Sequence, residues 1–325
     1  MRLLALLVLL TATGCASTLS TMQTAKPLAR GQFQVSGGTG LFVPVGQLAT
    51  VIDQGIVQGK AIKKAIDDEQ PYTLAEEDAQ KLLSVGMALA LAPPGSSQEL
   101  MIRAGLLESN SLDVGLRLST SSVRFDGKLR LLHGGDPDDS HLAPTQRKSL
   151  DVALGVGIAR QLFKSPVLDA LEVVKIDSFS RWDVEIPLYM SVDVGDIFKL
   201  YAAPKYVFSR TSLDQKLVDL AQVGTDLSGF NLTLPAHVNS HFYGASVGFA
   251  LGYKYVHLYA ELTGGYIHSR PRVFGQERDL GGVTLYPSVG LALKNPIPLL
   301  VSGRGTSSSS STPPVSPENP TPVVP

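Results

Sequence analysis

Ten separate stretches of this chain alternate, with an apolar residue at every second position and a polar, charged or glycine residue between. A period of two belongs to a β-strand with one apolar face. The first stretch, residues 32–43, sets Phe33, Val35, Leu41 and Val43 against Gln32, Gln34, Ser36, Gly38 and Gly40. The second covers residues 99–107. In the third, Leu112, Val114, Leu116 and Leu118 oppose Asp113, Gly115, Arg117 and Ser119. In the fourth, Val123, Phe125, Leu129 and Leu131 oppose Arg124, Asp126, Lys128 and Arg130. The fifth sets Leu150 to Ile158 against Asp151, Ala153, Gly155 and Gly157. The sixth turns Trp182, Val184, Ile186, Leu188, Met190 and Val192 away from Asp183, Glu185, Tyr189, Ser191 and Asp193. Residues 198–209, 242–254, 255–263 and 283–294 complete the set.

The pieces between them alternate in length. Residues 108–110, 195–196 and the break near Tyr253 are short, whereas 44–98, 163–180, 210–240 and 264–281 are long. Transmembrane barrels have this asymmetry, with short turns at one end and long loops at the other. One joint runs the other way: the turn near Thr120 is tight and residues 134–147 are longer. An Asp126-Gly127 hairpin is a competing way to divide that region. Within the first long piece, Leu48, Val51, Ile52, Ile56, Ile62 and Ile66 recur at helical spacing. Thr73 with Glu76 forms a capping box before residues 79–91, and Pro93-Pro94-Gly95 ends the run. Residues 44–98 therefore read as a helical insertion, either a surface cap or a plug over a barrel mouth.

The two ends of the chain are of another kind. Met1 and Arg2 precede an apolar run from Leu3 to Leu10, followed by Thr11-Ala12-Thr13-Gly14-Cys15. A positive start, a short apolar core and small residues describe a secretion signal, and eight apolar residues are too few to span ~30 Å of hydrocarbon as a helix. A Cys directly after such residues resembles the bacterial lipoprotein signal, which implies cleavage after residue 14 and acylation, palmitate included, at Cys15. Ala16 in the next place is compatible with sorting to the outer membrane. Cys15 is the sole cysteine of the 325 residues, so the chain forms no internal disulfide. Residues 15–31 then read as a lipidated linker and 32–294 as the barrel. Residues 295–325, with five serines from Ser307 and six prolines from Pro313, have almost nothing to bury and read as a disordered tail.

Which face is wet decides between a membrane barrel and a soluble one. Gly115, Gly155, Gly157, Gly248, Gly252 and Gly290 all share the side opposite the aliphatic residues. Glycine on a water-facing strand sacrifices packing, whereas in a narrow closed barrel it makes room for large neighbours. The same side carries Arg103, Asp113, Arg117, Arg124, Lys128, Asp151, Asp183, Glu185, Lys199, Lys205 and Glu261, charges of balanced sign suited to a paired luminal network. Trp182, Tyr206, Phe208, Tyr243 and Tyr253 stand near strand ends on the aliphatic side, where interface aromatics belong. Residues 99–106, 112–117 and 126–128 resemble a hairpin pattern common in bacterial outer-membrane β-barrel proteins, and 150–159 is similar to their glycine-rich strands. That resemblance implies an antiparallel transmembrane barrel of about ten strands and an outer-membrane location. The family has no uniform activity, so it transfers no functional residue.

Little chemistry is expected of such a chain. Gly244-Ala-Ser246-Val-Gly248 spells G-x-S-x-G, but the alternation runs straight through it, whereas a nucleophile elbow needs a strand-to-helix turn. His237 and His241 have ligand spacing only on a helix. Asp183 and Glu185, ~7 Å apart along one strand, are better read as partners of Lys199 and Lys205. A net charge of −1 offers no footprint for nucleic acid. No enzyme, metal or cofactor is expected. The partners implied are membrane lipids, met through Cys15 and the barrel exterior; no protein partner is specified. A structural or interaction role leads. A narrow pore or small-ligand transporter, and a tethered periplasmic lipid-binding barrel, are the alternatives.

Overall fold

The computed structural model describes residues 18–50, 52, 53, 56, 84, 87–89, 91–107, 109, 111–135, 148–161, 175–195, 197–216, 235–253, 255–273 and 276–295. Ten strands close into one antiparallel barrel: β1 (Phe33–Phe42), β2 (Gly95–Gly105), β3 (Leu112–Ser119), β4 (Ser122–Gly134), β5 (Lys148–Gln161), β6 (Lys175–Val194), β7 (Phe198–Lys216), β8 (His237–Tyr253), β9 (Val256–His268) and, after the small hairpin β10 (Arg272–Val273) and β11 (Gln276–Glu277), β12 (Gly282–Lys294). Each barrel strand pairs with its sequence neighbour, and β12 closes onto β1 with Gln34 opposite Lys294 and Gly40 opposite Ser288. Closure leaves no open sheet edge, the condition for strands to live in hydrocarbon.

Five strands begin at one end and five at the other. The start of β1 and the end of β12 share an end with residues 106–111, 135–147, 195–197 and 254–255; this is the turn end. Residues 43–94, 120–121, 162–174, 217–236 and 269–281 connect strands at the opposite, loop end. The joint that ran against the expected lengths stays as it is, with β3 and β4 meeting tightly at the loop end. The competing Asp126-Gly127 hairpin is not formed: β4 runs straight through it, pairing Asp126 with Gly115 and Gly127 with Val114.

Two irregularities hid strand length from the period-two pattern. β6 and β7 reach back to Lys175 and on to Lys216, beyond the expected limits, and a register shift between Ile176 and Ser178 breaks the alternation there. A second shift, between Arg130 and Leu132, leaves both Leu131 and Leu132 exposed. Residues 45–50, 52, 53, 56, 84, 87–89 and 91 are helical, at the two ends of the expected insertion. The signal segment, Cys15, the middle of the insertion and the tail from residue 296 lie outside the described residues.

The barrel is apolar outside and polar inside. Phe125 is 65% exposed, Val247 and Leu258 56%, Leu262 52% and Val289 51%. Aromatic side chains gather on the exterior towards both ends. Near the loop end Tyr206, Phe208, His241 and Tyr243 form one cluster, with ring centroids 5.3 Å apart for Tyr206 and Tyr243 and 5.4 Å for Phe208 and His241. Trp182 lies at the same level, stacked by the Arg160 guanidinium at 5.3 Å. Phe33, Tyr253 and Tyr255 stand exposed at the turn end.

Candidate functional site: the filled lumen

The expected polar side is the lumen. Arg103, Asp113, Arg117, Lys128, Asp151, Asp183, Glu185, Lys199, Lys205 and Glu261 are each buried, as is Arg124. Burial without water leaves a charge costly unless it is paired and hydrogen-bonded, and pairing is what the interior supplies. Arg103 bridges Asp113 and Asp126, Arg124 meets Glu185, and Arg117 lies 3.3 Å from Glu99. Lys128 reaches Asp113 at 3.4 Å, and Lys205 reaches Glu185 at 3.6 Å. Asp183 is held by Arg181 at 2.7 Å, and Asp151 by His133 at 2.7 Å. Lys199 departs from the expected pairing: it bonds Asp193 at 2.6 Å, its direct partner in the β6–β7 register, rather than Asp183 or Glu185.

The glycines make room inside. A Cβ on Gly115 would fall 2.7 Å from Arg103, one on Gly155 2.6 Å from Tyr189, and one on Gly248 2.5 Å from Tyr201. Around Gly38 and Gly290 the neighbour is not a strand residue. It is Met22, whose thioether would meet added methyls at 2.4 and 2.7 Å.

Residues 18–30, part of the stretch 15–31 read from the sequence as a lipidated linker, run through the barrel. From Thr18 to Leu28 every residue except the half-buried Lys26 is buried, and residues 18–28 belong to no strand. The linker reading rested on the position of these residues between Cys15 and the first strand, and position cannot tell a solvated tether from a polar chain that satisfies a polar cavity. At intervals of three, Leu19, Met22 and Ala25 each join one interior apolar cluster. Leu19 packs with Phe42, Ala92, Val207, Phe242 and Tyr286; Met22 with Tyr201, Ala250, Tyr259 and Ala292; Ala25 with Ala153, Tyr189 and Ala203.

The charged wall recognises this segment mainly through its main chain. Arg117 donates to the carbonyls of Ser20 at 2.6 Å and Thr21 at 3.1 Å, Lys128 to that of Thr24 at 2.7 Å, and Lys205 to that of Leu19. In the other direction the N–H of Ala25 donates to Ser191 at 3.1 Å and that of Leu28 to Asp113 at 3.1 Å. Glu261 accepts two successive amides, Thr21 N–H at 2.7 Å and Met22 N–H at 2.6 Å, together with the Tyr201 hydroxyl at 2.9 Å. Met22 has φ of 40°, in the left-handed region that non-glycine residues seldom adopt. Successive N–H groups around such a residue form a concave anion site, here filled by the Glu261 carboxylate.

The motif candidates resolve plainly. Ser246 is fully buried in the middle of β8, hydrogen-bonded to Thr263 at 2.6 Å and to Thr21 at 3.0 Å, on a straight strand rather than at an elbow. His241 bonds the Tyr206 hydroxyl at 2.7 Å on the exterior and His237 bonds Ser212 at 3.1 Å, so the two do not converge. Among the described residues no group of three His, Cys, Asp or Glu could hold a metal ion. At the loop end a small cavity of about 40 Å³ is lined by Leu19, Gln47, Ala88, Leu91, Arg181 and Leu280 among others. The described ends of the insertion thus lie at the mouth, tied by Gln47 to the Leu280 carbonyl at 3.4 Å and by Arg181 to the Leu91 carbonyl at 3.2 Å. What fills the lumen beneath them is the N-terminal segment.

No family model and no curated protein sequence matches this chain. Among solved structures it is similar to neisserial surface protein A, at 12% identity and TM-score 0.31 over 82% of this chain and 98% of that one. It is also similar to Ail, the attachment invasion locus protein of Yersinia pestis, at 8% identity and TM-score 0.28 over 82% and 99%. Outer membrane phospholipase A from Escherichia coli aligns at 11% identity and TM-score 0.27 over 83% and 98%. Scores this low carry no argument; the barrel stands on its own strand pairing.

Proposed function

We propose that the chain is a bacterial outer-membrane lipoprotein, acylated at Cys15, whose barrel serves a structural or interaction role and neither conducts nor catalyses. The observation that carries this reading is the inversion of polarity: aliphatic side chains cover the outside, and paired charges with a threaded peptide occupy the inside. A lipid-facing Arg or Lys near the midplane costs ~2–4 kcal/mol, and an exterior of Val247, Leu258, Leu262 and Val289 avoids that cost. Exposed aromatics towards both ends add interface anchors.

The filled lumen supports the structural role over a passive pore, because a ten-stranded barrel is already narrow and residues 18–30 take up its axis. A tethered periplasmic lipid-binding barrel would need an apolar interior, and ion pairs line this one. Gel mobility of the purified protein with and without heating tests the reading. A folded membrane barrel migrates faster unheated; equal mobility, together with recovery of the protein in the soluble periplasm without detergent, would refute it.

A further inference from the structure

The threaded segment has a direction. Thr18 lies at the loop end: its carbonyl accepts from Arg124, two residues into β4 at that end, and Leu19 packs on Phe42, the last residue of β1. Arg30 lies at the turn end, bridged to Gly105 at the close of β2, with the Gly31 N–H on the Gly105 carbonyl at 3.2 Å. The chain therefore descends from the loop end to the turn end inside the barrel, then reverses through Gly31 (φ 75°) and climbs the wall as β1. Twelve extended steps from Thr18 to Arg30 reach up to ~40 Å, enough to cross an apolar band ~25 Å tall.

We propose that the N-terminus of the processed chain, with the acyl anchor on Cys15, emerges on the long-loop face of the barrel and inserts into the leaflet on that side. Reach decides it. Cys15 precedes Thr18 by three residues, which span at most ~11 Å, whereas the turn-side leaflet lies a full membrane thickness away. A lipoprotein tether that left the barrel directly from β1 would place the anchor on the turn side, where β1 begins. Here the threaded residues carry the anchor point to the opposite rim. In the usual orientation of such barrels the long loops face outwards, so the acyl chains enter the outer leaflet and pin the chain at the cell surface. The interior is built for this passage. Arg117, Lys128, Lys205 and Glu261 hold main-chain atoms of residues 19–24, which fixes both register and direction. The anchor rests on the lipoprotein reading given above, whereas the direction of threading does not.

Three variants of the full chain, each with one short epitope, test the topology: one between residues 17 and 18, one within 217–234 and one at the 195–197 turn. The first two are expected to bind antibody on intact cells and the third only after the outer membrane is opened. An N-terminal epitope that sorts with the 195–197 epitope overturns the proposal. In parallel, Ala25→Cys with Ser191→Cys, whose native backbone N–H and hydroxyl are 3.1 Å apart, is expected to close a disulfide visible on a non-reducing gel. The register pair Val192→Cys with Leu200→Cys controls for oxidation; a disulfide in the control alone overturns the threading. Mass spectrometry of the N-terminal peptide separates the two claims. An unmodified Cys15 beneath a surface-exposed epitope removes the anchor and the lipoprotein reading while the direction of threading stands.

Discussion

At the residue scale, Glu261 carries the sharpest consequence. Its carboxylate receives the Thr21 and Met22 amides and the Tyr201 hydroxyl in a buried setting, and hydrogen bonds to a charged group contribute about 1.5–3 kcal/mol. Glu261→Ala is expected to lower the unfolding free energy, read from urea titration of the fast-migrating form, by about 1.5–3 kcal/mol, with Glu261→Gln intermediate because one amide bond survives. Met22 and Gly290 form a second pair. A side chain at Gly290 strikes the Met22 thioether, so Gly290→Val should destabilise by about 1–3 kcal/mol through overpacking. Met22→Ala in the same chain should recover part of that loss. Simple additivity in this double variant would show that Met22 does not lie against β12.

At the scale of the element, each strand has a lipid side and a luminal side, and substitutions should read them separately. Val247, mid-strand on β8 and 56% exposed, and Tyr253 at the turn-end rim of the same strand, 64% exposed, are matched for exposure but not for depth. Val247→Arg is expected to cost about 2–4 kcal/mol in refolding into lipid vesicles, and Tyr253→Arg only about 0–1 kcal/mol. Equal, near-zero effects would mean water rather than lipid touches this face. The alternation that defines the strands was legible in the sequence because pleating repeats every two residues. The extra lengths of β6 and β7 were not, because the register shift at Ile176/Ser178 interrupts the period between those two strands.

At the scale of the whole molecule, the barrel and its N-terminal segment form one unit. Deleting residues 18–30 removes partners from Arg117, Lys128, Lys205 and Glu261 at once. The deletion is expected to lower thermal stability and to produce channel events in planar bilayers, against a silent parent; a conducting parent would contradict the closed lumen. The strand set, the aliphatic and ionic sides and the grouping of charge at Arg103, Asp113, Arg117 and Glu261 could be read from residue order alone, since each follows from a local period. The spacing of Leu19, Met22, Ala25 and Leu28 was present in the same sequence, but a period of three in a polar segment has no meaning until there is a cavity to face. Only the closed tertiary structure supplied that cavity. The affinity of a luminal wall for main-chain carbonyls and amides depends on side chains far apart in sequence, from Asp113 to Glu261, and no local pattern records their convergence.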